Sequence, residues 1–209
     1  MNRSADSSFF HRQEFVKWRF AINKKTLALT TEQYREIIST MREGFTGARP
    51  NPRIAAALML EANLGLRISD VLRLRLSDIV MDGGRYRLSI VEQKTGKART
   101  FTVPTALYTF LRVYCLDNQI DTQSPIFPLT ERAVQKHLQA VCDYLGFQGI
   151  STHSFRKWYA TEIYNANGHD VALVQRLLQH SSAATTQRYI GIQPEAIEAA
   201  IAGHLCLDV

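Results

Sequence analysis

Residues 85–105 read RYRLSIVEQKTGKARTFTVPT. Two runs rich in β-branched and aromatic residues, RYRLSIVE and RTFTVPT, flank a polar segment with a glycine in it. The pattern predicts a β-hairpin with its turn at Thr95-Gly96. It is the one clear strand signal in the chain, so the rest of the sequence has to be read for helices.

Upstream, TTEQYREIISTMREG is a helix with Thr30 or Thr31 as its cap and Gly44 as its stop. IAAALMLEANLG, residues 54–65, is apolar nearly all round and reads as a buried central helix ended by Gly65. SDVLRLRLSDI then predicts a second short helix capped by Ser69. Downstream, helices are expected over about 105–117, 130–145, 153–166 and 170–179, the last capped by Asp170, with a final one after Pro194. The outline is mainly α with a small antiparallel β-hairpin, an α+β fold.

The 209 residues are 45% hydrophobic, enough for one well-packed domain. The net charge of +6 favours a polyanionic partner without proving one. The three cysteines, Cys115, Cys142 and Cys206, are far apart and odd in number. They suggest neither a disulfide framework nor a zinc site, and point to a reducing, cytoplasmic setting. No run of 18 apolar residues predicts a membrane span. Residues 1–29 mix aromatic and basic side chains and read as an N-terminal extension or arm.

Four segments carry chemistry. In STHSFRKWYATEIY, His153 and Arg156 are three apart and share a face near a helix start. Free N–H groups, an imidazole and a guanidinium there suit a phosphate. In NLGLRISDVLRLRL, Arg67 follows a helix end, and Asp70 is close enough in sequence to orient it. Lys94 sits near the hairpin tip. In LLQHSSAATTQRYI, residues 177–190, His180 ends an apolar helix face and Tyr189 follows nine residues on. Each taken alone is also what a capped helix, a surface ion pair or a solvated turn would show. The small residues between His180 and Tyr189 can pack closely or bend.

Taken in order, GLRISD, a hairpin lysine, HSFR and LLQHSSAATTQRY resemble the catalytic domain of tyrosine recombinases, the phage integrase family, over about residues 30–205. The resemblance implies the catalytic residues Arg67, Lys94, His153, Arg156, His180 and the nucleophile Tyr189, with Asp70 in support. One departure is visible: Gln179 stands where the family usually has glycine. The implied domain spans residues 30–209, with a helix at 195–205 that docks in a neighbouring protomer or packs on its own domain. The implied activity is site-specific DNA strand cleavage and rejoining through a 3′-phosphotyrosine, with no metal, ATP or other cofactor. Expected partners are double-stranded DNA, further copies of the chain (dimer or tetramer) on DNA, and an accessory DNA-bending protein, with no membrane. Fewer than 30 residues precede the catalytic region, so the chain is either a compact recombinase resembling short DNA invertases or a fragment of a longer one. Two rivals stay open: a non-catalytic helix-turn-helix regulator using residues 169–190, and a nuclease or topoisomerase-like enzyme sharing the tyrosine chemistry.

Overall fold

The computed structural model describes residues 26–191. The expected N-terminal arm up to residue 25, the helix after Pro194 and Cys206 lie outside the described residues.

Helix α1, Thr31–Glu43, begins with a capping box: Thr30 Oγ1 accepts from Gln33 N and Gln33 Oε1 from Thr30 N. Helix α2, Pro52–Leu64, starts two residues before its apolar run, because Asn51 Oδ1 accepts from Ile54 N and Pro52 suits the first turn. Nearly every α2 residue is buried, as expected for a central helix, and α1 and α6 pack against it.

The predicted second short helix is much shorter than expected. Helix α3 covers only Ile68–Val71. After it, Leu72, Leu74 and Leu76 are buried while Arg73 and Arg75 are exposed. The helix runs out in a turn, since Leu72 keeps helical angles and Arg73 N and Leu74 N donate to Asp70 O and Val71 O, and the backbone is extended by Arg75. A 3₁₀ turn at Leu76–Asp78 then leads into strand β1, Ile79–Asp82. Gly83 and Gly84, both at positive φ, make the tight turn that folds β1 onto β2.

The hairpin forms as predicted, from β2, Arg85–Val91, and β3, Ala98–Val103, and β1 pairs with β2 to complete a three-stranded antiparallel sheet of order β1-β2-β3. Val91 pairs with Ala98, so residues 92–97 form the loop that carries Lys94. Helices α4, Thr105–Asp117, and α5, Glu131–Leu145, fall where expected. So do α6, Thr152–Ala166, and α7, Val171–Leu178, with Asp170 capping Leu173 N. The segment between His180 and Tyr189 is largely helical: α8, Ala183–Ile190, is capped by Ser182.

One core holds α1 to α6 and the sheet together, with Phe127, Phe155 and Leu58 fully buried. A separate small cluster of Ala160, Val174 and Leu178 joins α6, α7 and α8. Val171 and Leu177, also on α7, are only half-buried.

Candidate active site

The C-terminal end of α2 is the anchor of the site. Its last carbonyls lack helical partners and carry the negative end of the helix dipole. Two guanidinium groups satisfy them. Arg156, from α6, donates through Nη1 to Gly65 O. Arg99, from β3, donates to Gly65 O at 3.4 Å and Leu64 O at 3.3 Å. Gly65 has to be glycine: its φ is +58°, and a Cβ there would lie 2.3 Å from the Tyr159 ring. Arg156 also donates through Nη2 to Leu178 O, at 3.0 Å, so one side chain, only 1% exposed, ties the ends of α2 and α7 together. Two of its five N–H groups are used this way, and Tyr189 in the cleft beside it is a further hydrogen-bond partner.

That cleft, about 380 Å³, is lined by Arg67, Lys94, His153, Arg156, His180 and Tyr189, with Thr26, Lys157 and Thr185. The six residues singled out by sequence therefore meet in one place, although they come from the α2–α3 junction, the hairpin loop, α6, the turn after α7, and α8. His153 lies at the rim and Arg156 at the floor. A larger cavity of about 730 Å³ shares His180 and is lined on its other sides by Lys97, Arg176 and Gln179.

Asp70 is not where it was expected to act. Its Oδ1 accepts from Gln93 N at 2.9 Å and from Arg73 Nη2 at 3.2 Å, and it does not hold Arg67. Arg67 sits before α3 on extended backbone and reaches Glu92 instead, Nη1 to Oε2 at 2.5 Å. Glu92 and Arg99 were missed in the sequence. Strand parity reveals both: Tyr86, Leu88 and Ile90 share the inward face of β2, and the next residue of that parity is Glu92. On β3, Arg99 has the parity of buried Val103. An inward-facing charge needs a partner, and here each supplies the other, at 3.7 Å.

His180 follows the turn at Gln179, whose φ of 53° and ψ of 38° are left-handed. The turn usually made by glycine is thus kept by a residue with a side chain, and that side chain donates to Ala98 O on β3 at 3.1 Å. His180 Nδ1 is 3.0 Å from Thr186 Oγ1 of α8, which leaves Nε2 for the cleft. The His180 and Tyr189 rings meet edge to face at 4.9 Å, and Lys157 Nζ lies 5.6 Å from the Tyr189 ring centre. Tyr189 is half-buried inside the cleft in the single chain.

Electrostatics follow from this crowd of cations. Burial, then Arg156 and Arg67, push His180 down to about 4. Desolvation, then Arg156, Lys94 and Arg67, lower His153 as well. Both imidazoles are therefore neutral near pH 7. Burial raises the Tyr189 phenol, and Arg156 offsets part of the rise. Burial alone would raise Glu92, but its bond to Arg67 and nearby charges hold it below the usual carboxylate range. Beneath them Glu61 is fully buried, without a well-formed hydrogen bond, and burial raises it well above that range. Among the described residues no group of three or more His, Cys, Asp or Glu could hold a metal ion, and no helix is long and apolar enough to cross a membrane.

The profile of the phage integrase family matches residues 28–195. Two curated relatives are the probable integrase/recombinase YoeC of Bacillus subtilis (strain 168) and the tyrosine recombinase XerC of Xanthomonas campestris pv. campestris (strain B100). YoeC is 32% identical over 146 residues, 66% of this chain and 77% of its own. XerC is 34% identical over 144 residues, 66% of this chain but only 44% of its own, so this chain matches less than half of that relative's length. Among solved structures, the pre-cleavage complex of XerH site-specific recombinase bound to difH substrate superposes with a TM-score of 0.64 at 20% identity, over 85% of this chain and 54% of that one. A lambda integrase tetramer bound to a Holliday junction gives 0.62 at 18% identity, over 78% and 47%. These superpositions carry the fold.

Proposed function

Because the chain belongs to the phage integrase family, we propose that it is a site-specific DNA recombinase that breaks and rejoins strands through a covalent phosphotyrosine. The observation that carries this reading is the single cleft in which Tyr189 faces Arg67, Lys94, His153, Arg156 and His180. DNA-bound relatives of the same fold, a lambda integrase tetramer among them, support double-stranded DNA and further copies of the chain as partners. An accessory DNA-bending protein and a cytoplasmic setting belong to the same proposal, as does the assignment of residues 30–209 to one catalytic domain.

The residues divide the chemistry between them. A phosphodiester repels nucleophiles by its own charge, which grows in the transition state. Arg67 and Arg156 donate N–H groups to its non-bridging oxygens. The floor position of Arg156 is already held by two carbonyls, so little reorganisation remains when the phosphate arrives. Tyr189 Oη attacks phosphorus. A free phenol is ionised only about once in a thousand at pH 7, so its proton must leave as the bond forms. His180, neutral and edge-on to the Tyr189 ring, is the acceptor. An incoming phosphate brings negative charge that raises its low proton affinity toward the working range. His153 at the rim hydrogen-bonds a non-bridging oxygen. The P–O5′ bond breaks as Lys94 gives a proton to the departing O5′, leaving a 3′-phosphotyrosine and a 5′-hydroxyl. A second 5′-hydroxyl reverses the step, since the phosphodiester energy is retained. Lys97 and Arg176 in the adjoining cavity extend the basic track for the DNA backbone.

A regulator that only reads DNA through α7 and α8 leaves the convergence of Arg67, Lys94, His153 and Arg156 on the same cleft without a purpose. The test is covalent capture. Protein incubated with a random pool of nicked duplexes should carry DNA that survives denaturation, attached at Tyr189, and Tyr189→Phe should bind the same DNA without any adduct. Adduct from that variant, or none from the wild type, overturns the reading.

A further inference from the structure

We propose that Glu92 is a positioning residue of the cleft, aiming Arg67 at the phosphate and, through Thr95, holding the loop that presents Lys94. The inference rests on the assignment of Arg67 and Lys94 above. Glu92 is 1% exposed, although it begins an otherwise exposed loop. Its Oε2 accepts from Arg67 Nη1 at 2.5 Å and from Thr95 Oγ1 at 3.0 Å, while Oε1 faces Arg99 Nη1 at 3.7 Å. Its backbone closes the same loop: Glu92 N donates to Lys97 O at 3.0 Å, and Gly96 N to Glu92 O at 2.9 Å. Lys94 lies between these ties. Asp70 adds a further one by accepting from Gln93 N. One carboxylate therefore links an arginine 25 residues away to the loop bearing the lysine.

Pairing with Arg99 accounts for a buried carboxylate here, but not for its bonds to Arg67 and Thr95. A carboxylate beside a phosphate site repels the ligand, and a site built only to bind DNA would omit it. Fixing Arg67, whose side chain is otherwise long and free to rotate, is a gain that offsets this repulsion. Binding and cleavage should then respond to its loss with opposite signs. A residue serving the fold alone would weaken both together.

The experiment uses the full chain and a nicked duplex recovered by covalent capture on the wild type. The scissile linkage carries either the normal 5′-bridging oxygen or a 5′-bridging sulfur, whose thiolate leaves without needing a proton. Glu92→Gln should bind the duplex as tightly as the wild type or more tightly. It should cleave the oxygen linkage about a hundredfold more slowly, the effect of a small misplacement, and recover in part on sulfur, because Arg67 remains mis-aimed. Thr95→Val severs only the loop arm. It should lose about tenfold on oxygen, the worth of one hydrogen bond, and regain the wild-type rate on sulfur. Wild-type cleavage by both variants overturns the proposal, as does joint loss of binding and cleavage in Glu92→Gln, or a Thr95→Val defect of equal size on sulfur. Thr95 is exposed, so its variant decides the matter even if Glu92→Gln fails to fold. Absence of adduct from the wild type sinks the function proposed above and is seen before any variant is made.

Discussion

The floor of the cleft and its α7–α8 wall are built in different ways. Arg156 grows from a helix packed on α2 in the large core, and two backbone carbonyls hold its guanidinium. His180 follows α7 and Tyr189 lies on α8, two eight-residue helices seated by a small buried cluster of Ala160 from α6 with Val174 and Leu178 from α7. The cations are preset by the main fold, while Tyr189 is held by a small satellite cluster and a few polar ties. A phosphate site gains from rigid charges, because reorienting them during reaction raises the barrier. A tyrosine that must form and later break a bond gains from a lighter attachment. The contrast has one exception, which is itself informative: Arg156 reaches the α7 end through Leu178 O, so the rigid part reports directly on the lighter one.

Arg156→Lys should break the floor most severely. An ammonium cannot span Gly65 O and Leu178 O and still offer a fork to phosphate. Single-turnover cleavage should fall by at least about a hundredfold, and near-normal cleavage would remove Arg156 from the chemistry. The two cores can be weighed against each other with Leu58→Ala and Leu178→Ala. Both side chains are fully buried, and deletions of this kind cost about 2–5 kcal/mol. Leu58→Ala should fall in the upper part of that range by denaturant unfolding, with little change in the cleavage rate of the folded protein. Leu178→Ala should fall in the lower part and slow cleavage more, since the satellite cluster seats Tyr189. The reverse order would mean that the wall is no looser than the floor.

Smaller effects test the hinge between the regions. Gln179→Gly relieves a left-handed residue, worth about 1 kcal/mol, but loses the bond to Ala98 O, worth a similar amount. Unfolding free energy should therefore move by less than about 1 kcal/mol, while hydrogen exchange at the α7 end rises. Protection there equal to the wild type would show that the Gln179 tie holds nothing. The His180 pKa gives the mildest signal. Its folded value of about 4 lies below the usual 6.5. Below pH 6.5 the unfolded chain takes up a proton that the folded chain refuses. Stability is thus lost progressively as pH falls from 6.5 toward 4, and this contribution is flat above 6.5. His180→Asn should lose stability less steeply over that window in thermal unfolding. Parallel curves for the two proteins would place His180 in open solvent.

Helix positions were legible because caps and apolar spacing are local. Thr30, Asp170 and Gly65 act where the sequence puts them. The end of α3 was misread because LRLRL contains enough leucine to suggest a continued helix, whereas the chain turns at Leu72-Arg73 and is extended by Arg75. A helix over residues 183–190 was implied only by the helix-turn-helix reading, because their small polar composition gives little apolar period, and it is held by the Ser182 cap and packing on α6 and α7. The candidate residues were found as a set, through their order along the chain. What their order could not reveal was who holds whom: Asp70 was the nearest acid to Arg67 in sequence, but Glu92 is its partner in space.

The sequence by itself determined which residue types were available and the elements that carry them, since propensity, capping and periodicity act over a few residues. Only the tertiary structure decided that Arg156 and Arg99 cap α2, that Glu92 holds Arg67, and that Tyr189 faces His180 in one cleft. Those pairings join groups up to 91 residues apart. They depend on how helices and sheet pack, because charges in a shared, partly dry space select partners by distance and desolvation and not by position along the chain.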